Sequence, residues 1–183
     1  MFQKVLVAID TSDMSQHVFD EAVSLAKTND ARLLLLHVLN PLDEQYIDPV
    51  FVQPTILYPE YQAQRNEIHL KDWTKLKEDR LKWLHCRCEK AKKIGIVTEC
   101  NQYIGEAGRT ICDTALSWGA DVIIMGRRGR RGLSEFFLGS VSNYVLHHAS
   151  CSVLVVQSPV NETIDEKVSQ TEKIAETEKS STS

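Results

Sequence analysis

Short apolar runs of strand length alternate with stretches of helical spacing over the first 158 residues, and this alternation leaves little choice of fold. Lys4–Ile9 (KVLVAI), Arg32–Leu39 (RLLLLHVL), Asp121–Met125 (DVIIM) and Ser152–Gln157 (SVLVVQ) are too apolar to keep one face wet, while Ile96–Ile104 (IVTECNQYI) alternates more. Between them, apolar residues recur at helical spacing: Phe19, Ala22, Val23 and Ala26, then Leu70, Trp73, Leu76, Leu84, Cys88 and Ala91 up to about Gly95. Ile111, Ala115 and Trp118 mark a third helix stopped by Gly119, and a fourth runs from Ser140 to about Ala149. The order β-α-β-α-β-α-β-α-β with apolar strands predicts an open, doubly wound parallel sheet with helices on both faces. In such a sheet ligands bind at the carboxyl ends of strands where the strand order reverses. That singles out Asp10-Thr11-Ser12, Leu39-Asn40 and the Gly-rich stretch after Met125.

Two segments break the rhythm. Pro41, Pro49, Pro54 and Pro59 fall within nineteen residues, so an insertion over about 40–60 is expected to be neither regular helix nor central strand. Its Tyr46, Phe51, Tyr58 and Tyr61 predict that it folds back onto the body. Beyond Pro159 the chain is polar and aperiodic, so 159–183 is expected to be a charged, disordered tail, distinct from a domain over 1–158. Six acids and three lysines lie in that tail, so most of the net charge of −4 belongs to it and the body is nearly neutral. A near-neutral body argues against a protein that coats nucleic acid through bulk charge. No apolar run approaches the about 20 residues of a membrane span, and no secretory pattern opens the chain. A cytoplasmic protein with no membrane partner is therefore expected. The five cysteines include no C-x-x-C pair, and Cys86 and Cys88 point apart on a helix, so reduced thiols are expected rather than a metal or disulfide framework. His37 reads as a packed core histidine, and His147-His148 as surface or packing residues.

After the fourth strand the sequence runs Met125-Gly126-Arg127-Arg128-Gly129, then nine residues, then Gly139-Ser140. Glycines there let the backbone approach a ligand and take positive φ. A Gly-Ser step opening a helix offers free N–H groups and a hydroxyl, which suit phosphate oxygens. Arg127, Arg128, Arg130 and Arg131 add positive charge. No Gly-Lys-Ser/Thr occurs, and no G-x-G-x-x-G follows the first strand, so neither a Walker loop nor a dinucleotide fingerprint is present.

The stretch MGRRGRRGLSEFFLGSVSNYVLHHASCSVLVV, with VLVAIDTSDMS near the start, resembles the universal stress protein family. The family pattern G-x2-G-x9-G-Ser/Thr is met by Gly126, Gly129, Gly139 and Ser140. The likeness covers residues 1 to about 158, fades in the Pro-rich insertion and is absent from the tail. It implies a Rossmann-like fold, akin to the adenine nucleotide alpha hydrolases, with strand order 3-2-1-4-5 and a dimeric assembly. It also implies an ATP-binding subclass, with AMP or a cyclic nucleotide as alternative ligands and Mg²⁺ carried on the nucleotide. By position, Asp10 would meet the ribose or adenine with Ala8 and Ile9 beside it, and Val38 would line the adenine pocket. Met125 and Gly126 would pass under the ribose, while Gly129, Gly139, Ser140 and Val141 would hold the phosphates. Arg127 and Ser142 are further candidates for phosphate contact.

Binding is better supported than turnover. Phosphoryl transfer needs positioned phosphates, a metal and a group that orients the nucleophile, and spacing aims neither Ser134 nor Glu135 at that task. Three readings follow: an ATP-binding stress-response regulator that docks an unidentified protein partner, a slow ATPase or self-phosphorylating enzyme, and, disfavoured, a nucleic-acid binder using the arginines. The last strand, uncharged and apolar at a sheet edge, predicts a homodimer through Ser152–Gln157.

Overall fold

The computed structural model describes residues 1–40, 59–127 and 138–157, with residues 59–70 described as backbone only. Nine elements follow in order: β1 (Lys4–Ala8), α1 (Met14–Asn29), β2 (Arg32–Leu39), α2 (Pro59–Lys93), β3 (Thr98–Ile104), α3 (Ala107–Trp118), β4 (Val122–Gly126), α4 (Ser140–His148) and β5 (Ser152–Val156). The strands form one parallel sheet in the order β3-β2-β1-β4-β5, as expected. The expected fold-back of the Pro-rich insertion and the disorder of the tail fall on 41–58 and 158–183, outside the described residues.

Strand parity divides the core. Val5, Val7, Leu33, Leu35 and Ile124 point to one face, where Val18, Phe19 and Ala22 of α1 and Leu84, Cys88 and Ala91 of α2 cover them. Leu6, Leu34, Leu36, Ile123 and Met125 point to the other, under Ile111 and Ala115 of α3 and Val145 of α4. Leu6, Leu33, Leu34 and Ile123 are wholly excluded from solvent, and each such side chain contributes about 1.5–3 kcal/mol of transfer free energy. Double coverage explains why the central strands are apolar at every position.

The helix ends follow local chemistry. The Glu106 carboxylate accepts hydrogen bonds from the N–H groups of Gly108 and Arg109, and Gly119 closes α3 with φ of 71°. Asp30 plays the latter part for α1 with φ of 52°, a conformation that aspartate tolerates better than most residues. One expectation needs correction: Pro59, placed in the irregular insertion, opens α2. A first-turn N–H has no intrahelical acceptor, so proline loses nothing there.

Two contacts make the packing testable. A Cβ built on Gly108 in α3 would lie 2.7 Å from Cδ1 and 2.9 Å from Cγ of Tyr144 in α4. Those ring atoms sit near the backbone and cannot swing away. Gly108→Ala gains helix propensity of up to about 1 kcal/mol, but the clash should dominate and cost about 1–3 kcal/mol net. Chemical denaturation of Gly108→Ala, Tyr144→Ala and the double variant should show the second substitution recovering most of the loss.

At the opposite end of the sheet, Asp121 Oδ2 accepts from the N–H groups of Gln3 and Lys4, each at 2.8 Å, so the start of β4 anchors the start of β1. These backbone bonds hold its carboxyl below the usual carboxylate range. A lowered folded-state pKa means that the stabilisation is complete at neutral pH and is lost as pH falls below about 4. Asp121→Ala should therefore lower the melting temperature at pH 7, and the gap from the parent should narrow toward pH 3.

Candidate functional site

β1 and β4 are neighbours in the sheet, with Ala8 opposite Met125. Their chains leave in different directions: β1 leads to α1 on one face, and β4 belongs to the part of the chain that returns through α4 on the other. The crevice between the two exits is where the sequence expectations converge. Ala8 ends β1, Ile9 and Asp10 follow it, and Met125 and Gly126 end β4. Val38 lies on β2, two residues past the Leu36 that pairs with Ala8.

The amino end of α4 is fastened to the end of β4. Gly139 N–H donates to the Arg127 carbonyl at 3.0 Å, and Arg127 N–H donates to Val156 of β5 at 2.8 Å. The Ser142 hydroxyl lies 2.9 Å from the Gly126 carbonyl and 3.1 Å from that of Arg127, and its one proton is shared between them. The first bond within the helix is from Asn143 N–H to the Gly139 carbonyl at 2.9 Å. The N–H groups of Ser140, Val141 and Ser142 therefore precede the helical ladder, and among the described residues no side chain caps them. Three uncapped donors, aligned with a helix dipole equivalent to about half a positive charge, make a seat for an anion. Ser140 is exposed, so its hydroxyl is open to the same space.

Ser142 plays a different part from Ser140. Its side chain is 3% exposed and turned inward, leaving its N–H as the group it can offer. Gly139 has φ −63° and ψ 153°, so positive φ is not its reason for being glycine. Gly129 and the arginines beyond Arg127 lie outside the described residues.

At the other side of the crevice, Asp10 Oδ1 accepts from Ser12 N–H at 3.0 Å and from the Ser12 hydroxyl at 2.5 Å. This Asx turn fixes the carboxylate and leaves Oδ2 without a protein partner among the described residues. Asp10 does not cap α1, whose N-cap residue is Asp13. A fixed carboxylate oxygen beyond the end of β1 and helix donors beyond the end of the neighbouring β4 could together bind a ligand that has hydroxyls at one end and negative charge at the other.

Sequence spacing did not show what His37 touches. Its Nδ1 lies 2.8 Å from the Ile9 carbonyl, and only the tautomer protonated at Nδ1 can donate there. The apolar surroundings of β2 signalled burial without naming the acceptor. Nor did spacing show that Ser142 ties α4 down; a serine in the first turn of a helix usually faces solvent.

Thiol chemistry has no place in the site. Burial, followed by the interaction with Cys88, pushes the Cys100 thiol up to about 11, and burial raises Cys112 and Cys151 as well. A protonated thiol is a poor nucleophile and a poor ligand. Among the described residues no group of three or more His, Cys, Asp and Glu side chains could hold a metal ion.

An open α/β sheet with the uncapped amino end of a helix beside its switch point is the class defined by this fold and site. Residues 1–157 match the model of the universal stress protein family. Universal stress protein YxiE of Bacillus subtilis is 38% identical over 159 residues, covering 86% of this chain and all of that protein. Universal stress protein Sll1388 of Synechocystis is 33% identical over 160 residues, 85% of this chain and 98% of that protein. Among solved structures, UspA from Lactobacillus plantarum superposes with a TM-score of 0.61 at 24% identity, covering 84% and 97% of the two chains. A universal stress protein in complex with cAMP gives 0.57 at 22% identity, covering 86% and 99%. The chain belongs to the universal stress protein family.

The Ser142 clamp has a measurable weight. Ser142→Ala removes the donor from two carbonyls at the end of β4, and such a loss costs about 1–2 kcal/mol. Urea unfolding should report that decrease, and amide exchange at Ser140–Asn143 should quicken relative to β5.

Proposed function

We propose that this protein is a cytoplasmic, ATP-binding universal stress protein that acts as a nucleotide-dependent regulator and presents a docking surface to a protein partner. The observation that carries the reading is the set of uncapped N–H groups of Ser140, Val141 and Ser142, held to β4 by the Ser142 hydroxyl. They would receive the phosphates, together with Gly129, Gly139, the Ser140 hydroxyl and Arg127. The free Oδ2 of Asp10 would accept from the ribose hydroxyls or the adenine amino group, beside Ala8 and Ile9. Val38 and Met125 would flank the base, and Gly126 would let the ribose lie against the backbone. Mg²⁺ would ride on the phosphate oxygens, where it needs few protein ligands. The cAMP complex named above and an Arabidopsis thaliana family protein solved with AMP bound support an adenine nucleotide as the ligand class.

Gly139→Asp separates binding from folding. The N-cap conformation of Gly139 suits aspartate, which is a better N-cap than glycine. The variant should melt at the parent temperature or slightly above. It should nonetheless lose ATP in calorimetry with Mg²⁺, because the new carboxylate occupies the donors and repels phosphate. The parent, with ATP at one hundred times Kd, should be stabilised by about 2.7 kcal/mol. Denatured parent protein should also release an adenine nucleotide identifiable by mass spectrometry. No binding of ATP, AMP or cAMP by the parent up to millimolar concentration defeats the reading.

Slow hydrolysis or self-phosphorylation is the second reading, favoured by the open Ser140 hydroxyl beside the phosphate seat. Radiolabelled ATP distinguishes it: turnover that Gly129→Val abolishes would make the protein an enzyme.

The exposed edge of β5 supports a homodimer. Leu154 is 42% exposed, and Val153 and Val155 are half-buried on a strand that, among the described residues, is paired on one side only. Val155→Lys should halve the mass measured by light scattering, and an unchanged mass would put the interface elsewhere.

A further inference from the structure

The β1–β2 ladder ends abruptly. Ala8–Leu36 is its last register pair, and Ile9 N–H still donates to the Leu36 carbonyl at 3.0 Å. There β1 bends away toward α1, and among the described residues no backbone N–H reaches the Ile9 carbonyl. The ring of the next residue along β2 takes over: His37 Nδ1 lies 2.8 Å from that oxygen. A buried carbonyl left without a donor would cost about 1–3 kcal/mol, so this bond decides where the strand end lies.

We propose that His37 is a positioning residue for the nucleoside end of the site, acting through the Ile9–Asp10 peptide without touching the ligand. The inference rests on the nucleotide-binding reading above. A peptide unit is planar, so a ring that holds the Ile9 carbonyl also fixes the Asp10 N–H and sets where the Asp10 Cα begins. The Asx turn with Ser12 then fixes the carboxylate relative to that Cα. The chain of restraint runs from the ring, through one rigid peptide, to the Asp10 carboxylate.

The ring is itself held from the helix side. His37 is 2% exposed, and its centroid lies 5.4 Å from that of Trp83 in α2, with the planes 60° apart. The Arg87 guanidinium covers the same Trp83 ring at 4.2 Å, a cation–π contact that fixes the indole. The position of the Asp10 turn is thus set by a stack that originates in α2.

The test compares full-length parent, His37→Leu, His37→Asn and Trp83→Leu. Asparagine places an N–H near the position of Nδ1, whereas leucine fills space without a donor. His37→Leu should weaken ATP and adenosine binding about tenfold in calorimetry, while inorganic triphosphate with Mg²⁺ binds α4 as in the parent. His37→Asn should stay within about threefold of the parent for every ligand. Trp83→Leu should fall between the two for ATP. A second readout needs no ligand: amide exchange at Asp10–Asp13 should quicken in His37→Leu and not in His37→Asn. Equal ATP affinity and equal exchange in parent and His37→Leu overturn the proposal. So does a parallel loss of triphosphate binding, which would mean that the whole site has collapsed. A parent that binds no nucleotide defeats the functional reading, and the exchange data then still decide whether His37 positions the turn.

Discussion

Two adjacent parallel strands whose chains depart to opposite faces create the one place in this sheet where a gap must open. β1 and β4 are hydrogen-bonded as far as Ala8 and Met125, so up to that level the sheet is closed. Past it, one chain turns to α1, and the other leads to α4, which lies on the opposite face. Among the described residues no backbone pairing bridges the divergence, and polar groups freed on both sides need partners. On the β1 side the partners are His37 and Ser12, which take the Ile9 carbonyl and the Asp10 carboxylate. On the β4 side Ser142 and Gly139 take the carbonyls of Gly126 and Arg127. What is left over among the described residues is asymmetric: one carboxylate oxygen on one bank and three backbone donors on the other.

That asymmetry connects stability to recognition. Glu106 caps α3 with its own side chain, and Asp121 ties down the other end of the sheet. The protein therefore uses carboxylates freely to satisfy backbone donors. At α4 it uses none. The N-cap of α1, Asp13, makes no side-chain bond either, so what sets α4 apart is its place at the switch point, where open donors would match an anion with a hydroxylated neighbour.

Much of the fold was legible because double coverage writes itself into sequence. Arg32–Leu39 is apolar at nearly every position because Leu33 and Leu35 lie on the face covered by α1 and α2 while Leu34 and Leu36 lie on the face covered by α3. Gly119 and Ser140 marked helix boundaries through conformational preference alone. Element ends drifted where two structures share one residue: Ile9 looks like strand and sits past it, and Ile96 precedes β3 although it is buried. Pro59 misled because proline forbids the middle of a helix and favours its start. The backbone donors of the site could be located from the Gly-Ser step. The contacts of His37 and Ser142 could not, because they join residues 28 and 16 positions apart. Such pairings depend on where the sheet brings its strands to an end, and periodicity carries no record of that.

The open end of α4 is also one substitution away from being closed. Glycine at position 139 forgoes only roughly a few tenths of a kcal/mol that a Ser, Asn or Asp side chain would add as N-cap. Its backbone already has the extended conformation such a residue adopts. A single side chain could therefore shut the donors away with almost no rearrangement of the fold.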